Sequence, residues 1–246
     1  MLLSPPTCPP TEIDTVLADQ GFAVLGAHDL GELLGEPAVV LARWRPFWDD
    51  LPPDRYLKDG GRYRRRRHGC FIVEGEHVEL QPHRPHWQPI EYNALHGGIE
   101  RHFEPLPDAL VTDPLWARFL MVGAARASAL KGVQPWYVEA HLFRIDTTDG
   151  IGRPTPEGAH RDGVDLVGVT LISREAIKGG ETRVFAAEGR EGLRFTLAEP
   201  FATLWLDDER VIHESTPIQP LQPGGSGYRD TLVLTYRASG FQGPAA

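Results

Sequence analysis

From Trp136 onward the sequence changes to short β-rich segments, the first of which is Tyr137-Val-Glu-Ala-His-Leu-Phe-Arg-Ile145. Similar segments follow at residues 166–172, 182–186, 202–206, 211–213 and 231–237, separated by glycine, proline and acidic turns. Short strands at such intervals are typical of an antiparallel sandwich or barrel. The sequence therefore predicts a two-sheet β core over residues 136–237.

Helical signals precede this core. Thr11 is placed to cap a short helix that runs to about Gln20, and Asp113 before Pro114 marks the start of a longer one. Residues 38–48 are also expected to be helical. The prediction is a helical buttress to about residue 135, within a single domain over residues 11–246. Residues 1–10 contain four prolines and are expected to be a disordered lead-in.

Composition limits the function classes. The chain has 246 residues, of which 41% are hydrophobic and 24% charged, and no stretch approaches the ~20 apolar residues of a membrane span. A net charge of −9 argues against a nucleic-acid partner. The start lacks the features of a secretory signal, and Cys8 and Cys70 cannot form a disulfide framework. We expect a cytoplasmic protein with a small-molecule substrate, whose oligomeric state the sequence leaves open.

One basic segment departs from this balance, Arg62-Tyr63-Arg64-Arg65-Arg66-Arg67-His68. For most of these arginines we favour a solvated edge strand, whose charges prevent edge-to-edge pairing. One arginine is expected to face the pocket and bind an anionic group of the substrate, with Arg66 and Arg67 as the candidates.

The chemistry is indicated by His160-Arg161-Asp162 and the later His213. Two imidazoles and one carboxylate are the ligand set of non-haem Fe(II) sites with open coordination positions. Alternation along a strand places residues i and i+2 on one face, so His160 and Asp162 can reach one ion. The alternative is that His160 is a solvated surface histidine and that His213 only caps a strand end.

A cosubstrate site is indicated by Arg229-Asp230-Thr231 at the start of the last strand. By alternation Arg229 and Thr231 share a face, and a guanidinium with a hydroxyl can hold a carboxylate. Arg229 pairing with Asp230 on the surface is the alternative, and Arg237 is the rival arginine on the same face.

These parts, in this order, resemble the Fe(II)/2-oxoglutarate-dependent dioxygenases. More narrowly, the sequence resembles the bacterial free-amino-acid hydroxylases of the isoleucine 4-hydroxylase type. The segments that carry this resemblance are Leu57-Lys58-Asp59-Gly60, Gly97-Gly98-Ile99, Phe103-Glu104-Pro105-Leu106, Pro156-Glu157-Gly158-Ala159-His160, Asp207-Asp208-Glu209-Arg210-Val211 and Arg229-Asp230-Thr231-Leu232-Val233-Leu234. The resemblance spans about residues 50 to 237.

The resemblance implies a double-stranded β-helix, or jelly roll, in which His160, Asp162 and His213 bind Fe(II) and carry the catalysis. It implies that Arg229, helped by Thr231, binds 2-oxoglutarate and that dioxygen is the second cosubstrate. The implied reaction couples decarboxylation of 2-oxoglutarate to succinate with hydroxylation of a free L-amino acid, either aliphatic or cyclic such as pipecolate.

Further candidates lie near this site. His141 and Glu139 share a strand face, so we expect His141 beside the cosubstrate and Glu139 beside the substrate; Gln88 and Asn93 are also substrate candidates. The other histidines show no competing ligand spacing and are expected not to bind metal. Two other functions remain open, a cupin-like metalloenzyme that does not use 2-oxoglutarate and a non-catalytic binding module on the same fold.

Overall fold

A seven-stranded antiparallel sheet forms the larger layer of the structure, a computed structural model that describes residues 3–93 and 95–244. Its strands lie in the order β1 (Phe22–Leu25), β9 (Thr203–Asp207), β5 (Leu166–Glu175), β12 (Tyr228–Arg237), β4 (Trp136–Asp146), β2 (Arg64–Glu74) and β3 (His77–Leu80).

Two smaller sheets form the opposite layer. One has the order β10 (Val211–Ser215), β7 (Thr182–Ala186) and β8 (Gly192–Phe195), and the other pairs β11 (Ile218–Pro220) with β6 (Ile177–Gly179). Apolar side chains from both layers pack between them, among them Leu171 of β5 and Val184 of β7. The predicted two-sheet β core is therefore confirmed.

Helices cover the outer face of the large sheet. They are α1 (Ile13–Gln20), α2 (Ala27–Leu34), a 3-10 helix (Ala38–Trp48), α3 (Asp108–Val111) and α4 (Pro114–Lys131). Their buried apolar side chains form one cluster with outward-facing residues of the sheet, such as Leu142 and Leu234. The three predicted helices are present, although the one over residues 38–48 is a 3-10 helix that contains Pro46. The prediction that Thr11 caps the first helix was wrong, because α1 begins after Glu12 and has no side-chain cap.

The start of α4 shows why this helix begins where the sequence predicts. The carboxylate of Asp113 accepts a hydrogen bond from the Leu115 N–H at 2.9 Å, as an N-cap residue does. It also accepts bonds from Arg43 and Trp44 of the 3-10 helix. Burial raises the pKa of Asp113, but these hydrogen bonds outweigh it and lower the pKa to about 2.

Strand alternation divides β4 between two environments. Val138, Ala140 and Leu142 pack against the helices. Side chains at the intervening positions, including His141 and Phe143, therefore point into the space between the two layers. β2 is paired with β4 so that Arg66 lies opposite Phe143. This pairing turns part of a highly charged strand into the wall of an internal cavity.

Two expectations about the N-terminal half were wrong. The first concerns the disordered lead-in over residues 1–10, of which residues 1 and 2 lie outside the described residues. Within residues 3–10, Thr7 forms a β-bridge with Val24, and the N–H of Cys8 donates to the Val24 carbonyl, so this segment is added to the edge of the sheet. The region before residue 135 is also not purely helical, because β1, β2 and β3 belong to the large sheet. Among the described residues, no helix has both the length and the apolar character needed to cross a membrane.

Candidate active site

His160, Asp162 and His213 come together at one end of the space between the layers. One side-chain ligand atom from each lies within 4.8 Å of the others. The His160 Nε2 atom is 3.8 Å from Asp162 Oδ1, and the His213 Nε2 atom is 3.7 Å from Asp162 Oδ2. His160 and His213 also exchange reciprocal backbone hydrogen bonds of 3.0 Å, so the main chain fixes the separation of the two imidazoles. This set of atoms can hold one divalent metal ion.

Neighbouring groups orient the three side chains. The His160 Nδ1 atom lies 3.0 Å from the Gly158 carbonyl, which can only accept, so Nδ1 carries the proton and Nε2 is left with a lone pair. Asp208 accepts hydrogen bonds from three consecutive backbone amides, those of residues 162 to 164, and thereby fixes the loop that carries Asp162. The Gln88 amide donates to Asp162 Oδ1 at 3.1 Å.

The charges at this end of the cavity perturb several pKa values. Burial lowers the pKa of His160, but the charges of Asp162 and Glu157 outweigh it and leave that pKa above its ordinary value. The pKa of His213 is lowered by burial and by the neighbouring His160. Burial and the charge of Asp162 raise the pKa of Asp208 to about 7. The carboxylates thus favour a cation at this position.

Arg229 lies in the same cavity, whose volume is about 130 Å³, and Thr231 lines it as well. The Arg229 side chain is 3% exposed, and its Nε and one Nη atom have no hydrogen-bond partner among the described residues. Burial lowers its pKa to about 10, so the guanidinium stays charged at neutral pH. Asp230 instead pairs with Arg144 and Ser173, so the alternative of an Arg229–Asp230 surface pair is not realised. A buried cation with free donors fits the distal carboxylate of 2-oxoglutarate.

Three further arginines form an arginine wall, which we define as Arg64, Arg66 and Arg101, in the same cavity. Asp54 is the only carboxylate of the described residues within ion-pairing distance of the wall, at 2.7 Å from Arg64 and 3.9 Å from Arg66. Burial, together with the charges of neighbouring arginines, lowers the pKa of Arg66 and brings that of Arg101 to about 10. The wall therefore has an excess of positive charge.

Aromatic rings and one histidine hold Arg66 in place. Its guanidinium carbon lies 3.9 Å from the centre of the Phe103 ring and 4.3 Å from that of Phe143, so two π faces contact the cation. An Arg66 Nη atom lies 2.8 Å from His141 Nδ1, which must accept because a guanidinium only donates. His141 is thus neutral with its proton on Nε2, in agreement with the lowering of its pKa by burial and by Arg66.

A hydrogen-bond chain connects the wall to the candidate metal ligands. Gln88 Oε1 accepts from Arg101 at 2.8 Å and from Asn93 at 3.0 Å, while its amide nitrogen donates to Asp162. Gln88 and Asn93, both predicted near the substrate, also line the cavity.

A second group of ligand-type side chains adjoins this wall and consists of His68, His86, Glu139 and His141, of which His86 and His141 line the same cavity. One oxygen of Glu139 is 2.5 Å from His86 Nδ1 and 3.1 Å from His68 Nε2. Burial lowers the pKa of His86 to about 3 and also lowers that of His68, so neutral rings donate to the carboxylate. The rings of His68 and His141 stack at 4.7 Å and 18°, which directs their in-plane lone pairs side by side rather than to one point. We therefore interpret this group as a hydrogen-bonded network.

Two predicted substrate residues are not in the cavity. Arg67 points to the opposite side of β2 from Arg66, because neighbouring strand residues alternate, and its guanidinium donates to the carbonyls of Pro105 and Asp50. Glu139 lies behind His86, where its carboxylate is occupied by the two histidines. Neither residue therefore lines the cavity that holds Arg229 and the triad, although Glu139 lines a smaller neighbouring cavity with Gln88 and Asp162, and their contact with substrate stays a prediction.

Sequence reasoning also missed several residues of the cavity. Arg64 is two positions from Arg66 and was within reach of the alternation argument, and Glu157 belongs to the quoted segment before His160. Arg101 of the cavity, and Asp54, which pairs with the wall from outside the cavity lining, lie in segments without regular strands or helices, so no sequence pattern marks them.

A two-layer β core that encloses two histidines, a carboxylate and a buried free arginine is the arrangement of non-haem iron oxygenases that use a dicarboxylate cosubstrate. The family model described as 2OG-Fe dioxygenase matches residues 45–235, and the chain belongs to this family. It is a 2-oxoglutarate-dependent dioxygenase, for which the family implies Fe(II), 2-oxoglutarate and dioxygen. The predicted double-stranded β-helix is thereby confirmed as well.

Individual relatives agree with this assignment. L-isoleucine-4-hydroxylase from Bacillus thuringiensis is 26% identical over an alignment of 196 residues, and the match covers 76% of this chain and 78% of that protein. The crystal structure of a bsmA homolog from Methylobium petroleophilum has a TM-score of 0.92 and 50% identity, and 98% of each chain is covered. The crystal structure of IDO from Bacillus thuringiensis has a TM-score of 0.75 and 18% identity, and the match covers 97% of this chain and 100% of that one. At this identity the match shows similarity of the fold.

Proposed function

We propose that this dioxygenase hydroxylates a free L-amino acid, with His160, Asp162 and His213 as the Fe(II) ligands. Arg229, with Thr231 beside it, anchors the distal carboxylate of 2-oxoglutarate. When bound, Fe(II), 2-oxoglutarate and dioxygen supply the oxidising chemistry, in which 2-oxoglutarate is decarboxylated to succinate while one oxygen atom enters a substrate C–H bond.

The chain's own residues position these groups and keep the site dry. Gln88 and Asp208 restrain Asp162, and the Gly158 carbonyl restrains the ring of His160. The flanking layers exclude water, which strengthens the electrostatic interactions of the buried arginines with anions. Placing the reacting C–H bond is then the task of the groups that bind the substrate's polar end.

The arginine wall is the observation that carries the proposal. Its guanidinium groups are separate from Arg229, so they remain available after 2-oxoglutarate is bound. Because Asp54 is the only ion-pair partner of the wall among the described residues, a second carboxylate relieves the repulsion among its charges. The substrate's α-carboxylate is that group in our proposal. The relative named L-isoleucine-4-hydroxylase, which is 26% identical, supports an amino acid as the substrate class.

Product analysis tests this function. The protein is loaded with Fe(II) and 2-oxoglutarate without oxygen, mixed with each protein amino acid or cyclic imino acid such as pipecolate, and then exposed to oxygen. We expect one amino acid to give equal amounts of succinate and of a product heavier by one oxygen atom. Succinate formation that no amino acid stimulates above the uncoupled background would refute the proposal.

The cellular setting forms part of the same proposal. We place the enzyme in the cytoplasm, which is supported by Cys8 and Cys70, both buried free thiols, since thiols persist in a reducing compartment. A small molecule is the partner that the size of the cavity favours.

A further inference from the structure

Glu157 is a largely buried carboxylate of the cavity wall, with its side chain 13% exposed, whose only neighbour of opposite charge among the described residues is His160. It lies three residues before His160, in a turn that also places Pro154 and Thr155 at the cavity. Its Oε2 atom is buried and has no hydrogen-bond partner among the described residues. Its Oε1 atom lies 3.5 Å from His160 Nε2, the nitrogen that we assign to the metal.

At this position the charge of the Glu157 carboxylate is not compensated when a metal is bound to His160. Once a metal occupies the lone pair of His160 Nε2, that nitrogen has no proton to give to Glu157. No lysine or arginine of the described residues lies within ion-pairing distance of Glu157. A buried carboxylate without a partner is costly, and a ligand that brings a positive charge removes this cost.

Glu157 also stands apart from the metal ligands themselves. The three atoms of the triad lie within 4.8 Å of one another, and Glu157 does not belong to that group. Its negative charge does act on Arg101, whose pKa it raises against the effect of burial. The cavity thus has a negative group next to His160 and the arginine wall within electrostatic reach of that group, which matches the two charges of a zwitterion.

We propose that Glu157 binds the ammonium group of the substrate. This inference rests on the proposed function and deepens it, because it restricts the substrate to amino acids with a free basic nitrogen, primary or secondary. Acylation of that nitrogen, as in a peptide, removes the charge and places a neutral carbonyl next to the carboxylate. The arginine wall then binds the α-carboxylate of the substrate and Glu157 binds its ammonium group, so that both charged groups on the α-carbon are held.

Binding measurements without turnover test the inference. The Ni(II)-substituted full-length protein with 2-oxoglutarate is titrated in a calorimeter with the amino acid that best stimulates succinate formation, and with the 2-hydroxy acid of the same carbon skeleton. If no amino acid stimulates succinate, L-isoleucine and L-pipecolate are titrated. Glu157→Gln preserves shape and removes the charge, Glu157→Asp retains the charge, and Glu76→Gln in the exposed turn after β2 is the matched control.

We expect Glu157→Gln to weaken amino-acid binding by at least about thirtyfold, the effect of losing one partner of a buried charge pair. The 2-hydroxy acid should bind the wild type and Glu157→Gln equally, Glu157→Asp should bind the amino acid with intermediate strength, and Glu76→Gln should match the wild type.

Two other results would overturn the assignment. Amino-acid binding by Glu157→Gln at wild-type strength would show that the carboxylate does not contact the ammonium. Loss of bound Ni(II) from the same variant, measured by mass spectrometry, would make Glu157 a metal ligand instead. If the wild type binds no amino acid at all, the proposed function itself fails.

Discussion

Replacing Arg229 by methionine should have opposite effects on the free and the loaded protein. Methionine has a similar length and no charge. In the absence of 2-oxoglutarate, the substitution removes a buried cation with two unsatisfied donors, which Arg174 also repels. Unsatisfied buried groups cost about 1–3 kcal/mol each, so we expect the metal-loaded variant to melt higher than the wild type.

Addition of 2-oxoglutarate should reverse the order of the two melting temperatures, so that the wild type melts higher than Arg229→Met. At a concentration of about one hundred times Kd, a ligand stabilises the native state by about 2.7 kcal/mol. For a protein of this size that corresponds to a rise in Tm of about 5–10 °C in the wild type. Loss of one partner of a buried ion pair costs about 2–5 kcal/mol, so at the same concentration the shift of Arg229→Met should fall below about 4 °C.

The assay is a thermal melt of the Ni(II)-substituted protein with and without 2-oxoglutarate. Arg237→Met is the control, because Arg237 is on the same face of β12 but donates to the Gly240 carbonyl and does not line this cavity. The assignment of Arg229 would be refuted if 2-oxoglutarate raised the Tm of Arg229→Met as much as that of the wild type. It would also be refuted if 2-oxoglutarate did not raise the Tm of the wild type at any concentration.

Three further predictions concern separate parts of the molecule. Asp113→Asn should keep the helix cap but lower the free energy of unfolding by about 1–2 kcal/mol at neutral pH. Because the pKa of Asp113 in the folded protein is about 2, the difference between wild type and variant in urea melts should disappear as the pH falls from about 4 towards 2. Metal analysis should find one ion per chain, absent in Asp162→Ala and retained in His86→Ala; two ions per chain would contradict our interpretation of the histidine network. Arg66→Lys should raise KM for the amino acid at least about tenfold because lysine lacks the planar fork, whereas Arg67→Ala, outside the cavity, should leave KM unchanged.

Local patterns made much of the fold predictable. Gly21 ends α1 in the left-handed conformation with φ 79°, and Asp113 caps α4, so both helix boundaries follow from single residues. Alternation likewise predicts that Arg229 and Thr231 face the same cavity, as they do. Such features depend on residues close together in the chain, which is the information that one sequence contains.

Features that depend on distant partners were not predictable. Residues 64–67 are all arginines; alternation separates Arg64 and Arg66 from Arg65 and Arg67, but nothing in that run tells which of the two pairs is buried. Arg64 is buried because Asp54 approaches from a preceding loop, and Arg66 because the rings of Phe103 and Phe143 pack against its guanidinium. The position of Glu139 was unpredictable for the same reason, because its carboxylate accepts hydrogen bonds from two histidines in other segments.

The reciprocal bonds between His160 and His213 also make two amide protons into reporters of the site. Each N–H is protected by the carbonyl of the other residue, so neither can exchange with deuterium unless this bridge opens locally. A ligand that ties the two imidazoles together makes that opening rarer and slows the exchange of both amides in parallel. Deuterium uptake at these two positions therefore measures how often the mouth of the β core opens, even in a protein that turns over no substrate.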